Sequence, residues 1–230
     1  MLSRTAASLV PLFGRLSVTG TVAPAGGSGT VLVANHTSLT DPAVVLAALH
    51  RLGVRPVVMA TAGLWRVPWL GRALDGEGHI PVARGTARAS AALDAAAEAL
   101  GQGRVLLMYA EGRLPARTDA ADSAPGPFRS GLARLTERTG ALVVPVGQAG
   151  ARRISSGSTV KQLAGVATAP LRRPSLHVHV GAPVRLTGDV AARTDQARAA
   201  VTDAWRTAAA LVQVPVPVRE PGRRSSPSAR

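Results

Sequence analysis

Cysteine is absent from this sequence, lysine occurs once as Lys161, and only 3% of residues are aromatic. The first absence excludes disulfides and thiolate metal sites. Scarce aromatics argue against a stacking platform for single-stranded nucleic acid and leave Ala, Val and Leu to fill a core in a chain that is 46% hydrophobic. There is no G-x-S-x-G elbow of a serine hydrolase and no G-x-x-x-x-G-K phosphate loop. Long apolar runs are missing too. The N-terminal "MLSRTAASLVPLFGRL" is interrupted by Arg4, Pro11 and Arg15, and its uncharged stretch, residues 5–14, falls well short of the ~20 residues a spanning helix needs. The same interruption makes it a poor signal peptide. A helix over residues 1–16 is expected, with Leu2, Leu9, Leu12, Phe13 and Leu16 on its apolar side. It either packs on the core or lies in a membrane interface.

Arginine is what the chain has in excess. The formal net charge is +14, divided as +4 over residues 1–116 and +10 over residues 117–230. Such a field attracts polyanions: nucleic acid, anionic lipid, acidic cofactors or carrier proteins. Residues 151–173 hold five basic groups and no acid, break the pattern on either side, and read as an excursion out of the sheet.

At 230 residues the chain suits one sizeable domain. Strands are expected at "RLSVTGTV", "TVLVAN", "RPVVMAT", "GHIPVAR", "RVLLMYAEG", "ALVVPVGQAG" and "PSLHVHVGAPVRL". Helices are expected at 42–52, "LWRVPWLGRAL", "GTARASAALDAAAEALGQG", "SGLARLTERTG" and from Asp189 to about Val212. The alternation predicts a single α/β domain with a mostly parallel sheet flanked by helices. We place the domain at 17–212, after the N-terminal helix and before a basic tail, 213–230, whose Pro, Ser and Arg content is that of a disordered end.

In such sheets functional groups gather at the carboxyl ends of strands. "VLVANHTSLTDPAVVL" puts His36 at one such end, and Asp41 follows just before a helix-opening proline. A neutral imidazole takes a proton from an attacking hydroxyl, while a carboxylate on its other nitrogen fixes the tautomer. Asp before Pro is also an ordinary N-cap. Glu111 and Arg84 close two further strands. His177 and His179 alternate on one strand, and without a cysteine or nearby acid they suit a surface strand better than a metal site. Trp65 and Trp69 share one helix face, placed to line an apolar groove, a membrane interface or the core.

"NHTSLTD" resembles the N-H-x-x-x-x-D signature of the glycerolipid acyltransferases, the 1-acylglycerol-3-phosphate acyltransferases and their relatives. "LWRVPWLGRALDGEGHIPVAR", "LLMYAEGR" and "FRSGLARLTERTGALVVPV" are similar to that family's later blocks, in its order, and the resemblance runs from about residue 15 to residue 186. It implies the family's glycerol-phosphate acyltransferase-like fold, with His36 as general base and Asp41 as its partner. It implies that Arg84, Glu111, Gly112 and Arg113 hold the acceptor, Arg84 facing a phosphate that its planar fork suits. It also implies no bound cofactor, with acyl-CoA or acyl-acyl carrier protein as co-substrate and a lysophospholipid as acceptor. Three departures stand in the third block: Ala110 for proline, Arg113 for threonine and Leu114 for arginine. These open the way to a different hydroxyl or amine acceptor.

The basic surplus then fits an anionic membrane surface, with the enzyme peripheral on the cytoplasmic face of the plasma membrane. A nucleic-acid-binding protein explains the charge and little else, so no nucleic-acid partner is expected. A non-catalytic lipid-binding relative is the third reading.

Overall fold

The computed structural model describes residues 1–22, 29–85, 89–112 and 124–213. Seven strands form one sheet in the order β1-β7-β6-β2-β5-β3-β4. They are β1 (Arg15–Thr19), β2 (Thr30–Ala34), β3 (Val57–Thr61), β4 (Ile80–Val82), β5 (Val105–Met108), β6 (Leu142–Ala149) and β7 (Ser175–Val180). Every pairing is parallel except β6 with β7, so the expected mostly parallel α/β sheet is what the chain forms.

Period-2 alternation in the strands sorts the core into two layers. In β2, Leu32 and Ala34 point into one cluster and Val31 and Val33 into the other, all four fully buried. The first cluster takes residues of α1 (Leu2–Phe13), α2 (Asp41–Arg51) and α6 (Thr159–Arg172); the second takes those of α4 (Ala89–Gly101), α5 (Gly131–Thr139) and α7 (Val190–Gln213). α7 lies directly on β6, where a Cβ on Gly147 would stand 2.1 Å from the Ala204 backbone. Only glycine permits that approach.

Several expectations change in detail. The N-terminal helix stops at Phe13, and Leu16 belongs to β1 instead. Its buried residues are Ser3, Ala6 and Val10, while Leu9 and Leu12 are exposed. The "LWRVPWLGRAL" helix is broken, because the residue before a proline is pushed out of helical geometry. Val67 is extended, and it separates a 3-10 turn, Ala62–Arg66, from α3 (Pro68–Gly76). Trp65 and Trp69 therefore sit on different elements. The expected excursion at 151–173 is a 3-10 turn, Ala151–Arg153, followed by α6. α7 ends at Gln213, and residues 214–230 of the expected tail lie outside the described ones.

His177 is not on a surface strand. β1 covers the outer side of β7, so His177 is buried and both its ring nitrogens are bonded: Nδ1 to Ser17 Oγ at 2.7 Å and Nε2 to Thr19 Oγ1 at 2.9 Å. Thr19 Oγ1 also meets His179 Nδ1 at 2.8 Å. Among the described residues no group of three His, Cys, Asp or Glu is placed to hold a metal. Burial holds both imidazoles below their ordinary value of 6.5, His177 further lowered by His179. The unfolded chain therefore binds more protons on the acid side of 6.5. The contribution to stability is complete above that value and is lost as pH falls through the lowered folded values. Thermal unfolding midpoints should fall as pH drops below 6.5, and His177→Asn should flatten that slope.

Candidate active site

Sheet order decides what meets. β2 and β5 are parallel neighbours, so the segments leaving their carboxyl ends, with His36 and Glu111, emerge side by side. β3 and β4 continue the same edge and deliver Arg84.

His36 Nδ1 lies 3.1 Å from Asp41 Oδ2. That same oxygen accepts from the backbone N–H groups of Thr37 and of Ser38, the latter at 2.8 Å. Asp41 is fully buried and is the first residue of α2; the N-cap is Thr40, which makes no side-chain capping bond. The N-cap reading of Asp41 is thereby replaced: its carboxylate turns back onto the preceding loop and the imidazole. Burial pushes its carboxyl above the ordinary carboxylate value, opposed by the bonds from His36, Ser38 and Thr37. The Tyr109 ring lies against His36, centroids 4.5 Å apart. Burial, and then the Asp41 charge, push its phenol far up, so it stays protonated.

The loop is held from both sides. Glu111 is buried, with Oε1 accepting from His36 N at 2.8 Å and Oε2 from Gly126 N at 2.8 Å. Both its oxygens are thus engaged by backbone, and it lines neither of the cavities described below. Across the sheet edge, Asn35 exchanges two bonds with the Gln148 backbone, at 3.0 and 2.8 Å. Gln148 Nε2 donates to Thr37 Oγ1 at 3.0 Å, and buried Arg152 donates to Thr37 O at 2.9 Å. Ser38 Oγ donates to Ser155 O at 2.8 Å. None of Gln148, Arg152 or Ser155 was singled out from sequence, where only a strand end followed by an apparent excursion marked them.

Two cavities adjoin this centre. One, about 610 Å³ and almost wholly apolar, has His36, Leu39, Val10, Trp69 and Val166 in its wall. The other, about 670 Å³, is lined by Gly112, Arg129, Ser130 and Gly131 at the start of α5. Met59, Arg84 and Tyr109 line both. Arg84 is thus at their junction, its guanidinium pKa lowered by burial and by the charge of Arg129. Arg129 was not anticipated; it sits inside the "FRSG" block, and the signal was there in the motif. Gly112 adopts φ +73°, and a Cβ there would stand 3.1 Å from Arg129 Cγ. Arg113 lies outside the described residues.

The model of the family described as Acyltransferase matches residues 15–148, more than half of the chain. This chain belongs to the Acyltransferase family. No curated protein matches it. Among solved structures it is similar to the 1-acyl-sn-glycerophosphate (LPA) acyltransferase PlsC from Thermotoga maritima, with a TM-score of 0.66 and 18% identity over 94% of this chain and 80% of that one. That likeness is one of fold. The family match covers His36, Asp41, Arg84 and Glu111, and extends to Gln148.

The loop's dependence on its neighbours is measurable. Asn35→Ala leaves the buried Gln148 N–H and C=O without their side-chain partner, a loss of about 2–4 kcal/mol in urea unfolding.

Proposed function

We propose that this Acyltransferase-family protein moves a fatty acyl group from an acyl thioester, on coenzyme A or acyl carrier protein, to the free hydroxyl of a lysophospholipid. The leading acceptor is 1-acylglycerol-3-phosphate, which gives phosphatidic acid. The observation that carries this is His36, bonded to buried Asp41, in the wall of an apolar cavity that meets an arginine-bearing one.

In this reading Asp41 holds the proton on Nδ1 and leaves His36 Nε2 as the base. The acceptor hydroxyl attacks the thioester carbonyl as Nε2 takes its proton, forming a tetrahedral intermediate and an imidazolium beside Asp41. Collapse breaks the C–S bond. The thiol leaves with the proton returned by Nε2, and the new ester remains. No bound cofactor takes part. The apolar cavity, within the usual size range for ligand sites, receives the acyl chain. Arg84 and Arg129 receive the head-group phosphate, where two like charges otherwise share one space at a cost that an anion removes. Glu111 acts through the His36 backbone, Gly112 leaves room for Arg129, and Arg113 remains a proposed phosphate contact. The reaction is placed at the cytoplasmic face of the plasma membrane, the enzyme bound peripherally.

A second reading keeps the chemistry and changes the acceptor to another hydroxyl or an amine. It is favoured by Leu114, which stands where the family generally has arginine.

Purified protein in detergent micelles, given a labelled acyl thioester and a panel of lysolipids, separates these readings. His36→Ala should lower transfer by about 10²–10⁴-fold; transfer unaffected by it would sink the mechanism. Arg129→Gln should raise KM for lysophosphatidate about tenfold and leave a phosphate-free acceptor unchanged. Transfer to phosphate-free acceptors alone would select the second reading.

A further inference from the structure

Helix α6 is held to the fold by one narrow side. Ala169 is its only buried residue. Gly165 lets the helix lie close, since a Cβ there would stand 2.4 Å from the Ile154 carbonyl oxygen. At 100° per residue, Val160, Leu163, Ala167 and Leu171 fall on the opposite side from Ala169. They face outward: Val160, Leu163 and Leu171 are 76%, 68% and 89% exposed. A helix with one solvent face carries polar residues there; this one carries an aliphatic stripe.

Cations lie around the helix. Lys161 is in its first turn, and Arg153, Arg172 and Arg173 gather toward its C-terminal end, where Arg172 donates to the Arg153 and Gly165 carbonyls at 2.9 and 2.8 Å; all four are exposed. No carboxylate occurs between Glu137 and Asp189. α1 runs beside α6, tied to it where Arg173 donates to the Pro11 carbonyl at 3.2 Å, and it adds exposed Leu9 and Leu12 without an acid of its own. The apolar cavity reaches the same region. Val166 of α6 and Ile154 line it, and Leu9, Leu39, Leu64 and Trp69 belong both to its wall and to the exposed surface.

We propose that α6 is a docking helix for an anionic lipid surface, its Val160–Leu171 stripe set at the headgroup boundary and its cations on lipid phosphates. A second copy of the chain fits this face poorly. Pairing would bring two uncompensated sets of cations together, with no carboxylate between Glu137 and Asp189 to offset them. A lipid surface satisfies both features at once, because apolar burial and charge attraction add there. The inference rests on the acyltransferase reading in one respect: lipid substrates then enter the cavity from the surface that α6 rests on.

Flotation of the full chain with vesicles tests it. Binding is expected to vesicles containing phosphatidylglycerol, not to phosphatidylcholine alone, and should weaken as salt rises. Leu163→Ser with Leu171→Ser should lower the bound-to-free ratio by about tenfold or more. The double variant should keep wild-type transfer in detergent micelles, since neither residue lines a cavity. The proposal is overturned if the variant floats like wild type, or if wild type ignores anionic vesicles. It also fails if wild type is a dimer in light scattering that the variant converts to monomer, which would make a second copy the cover. Wild type that floats as expected yet transfers nothing in micelles overturns the catalytic reading alone.

Discussion

The Oδ2 atom of Asp41 gathers three N–H donors, from the His36 ring and from the backbones of Thr37 and Ser38. Much of the centre follows from that convergence. A fully buried carboxylate is costly unless donors compensate for lost water, and these donors meet only if the chain doubles back between β2 and α2. A loop folded that tightly has few internal means of holding its shape. Gln148 and Arg152 brace it from the β6 side, on Asn35 and Thr37, and Glu111 braces it from β5. The pair at the centre is local in sequence, but what holds it there comes from 75 to 115 residues away.

Parallel pairing does the rest of the assembly. With β2, β5, β3 and β4 running one way, their outgoing segments share one edge of the sheet. β4, at the end of the row, sends Arg84 to where two cavities join, while β2 near the middle places His36 in the wall of the apolar one. β6 and β7 serve differently. Their antiparallel pairing carries the chain from the Gln148–Ser155 brace through α6 and back into the sheet. α6 thus touches the first layer only along the side of Val166 and Ala169.

The α/β architecture was legible because strand and helix periods alternate clearly, and His36 and Asp41 because both fall in one short segment at a strand end. The helix containing Trp65 and Trp69 was misjudged: the apolar pattern runs on through Val67, and the backbone does not. His177 was misjudged because nothing local reveals that β1, far away in the chain, pairs outside β7. Glu111 was legible as a site-edge residue, yet its contacts are with the backbone of His36 and Gly126. Motif position marks where a carboxylate stands, but not which donors reach it. The brace at 148–155 escaped because Gln, Arg and Ser beyond a strand look like any loop until the sheet closes on them.

Electrostatics then separates the groups around the imidazole. Tyr109 lies against His36, but burial and the neighbouring Asp41 charge keep its phenol protonated, so its ring brings no negative charge. Arg84 lines the cavity that His36 lines and, with Arg129, brings positive charge to the adjoining one. The carboxylate bonded to the ring itself is Asp41; burial burdens its ionised form, and the bonds from His36, Ser38 and Thr37 oppose that burden. The desolvation that makes buried Asp41 expensive is offset by the donors it gathers, and the braces around Thr37 keep those donors in place.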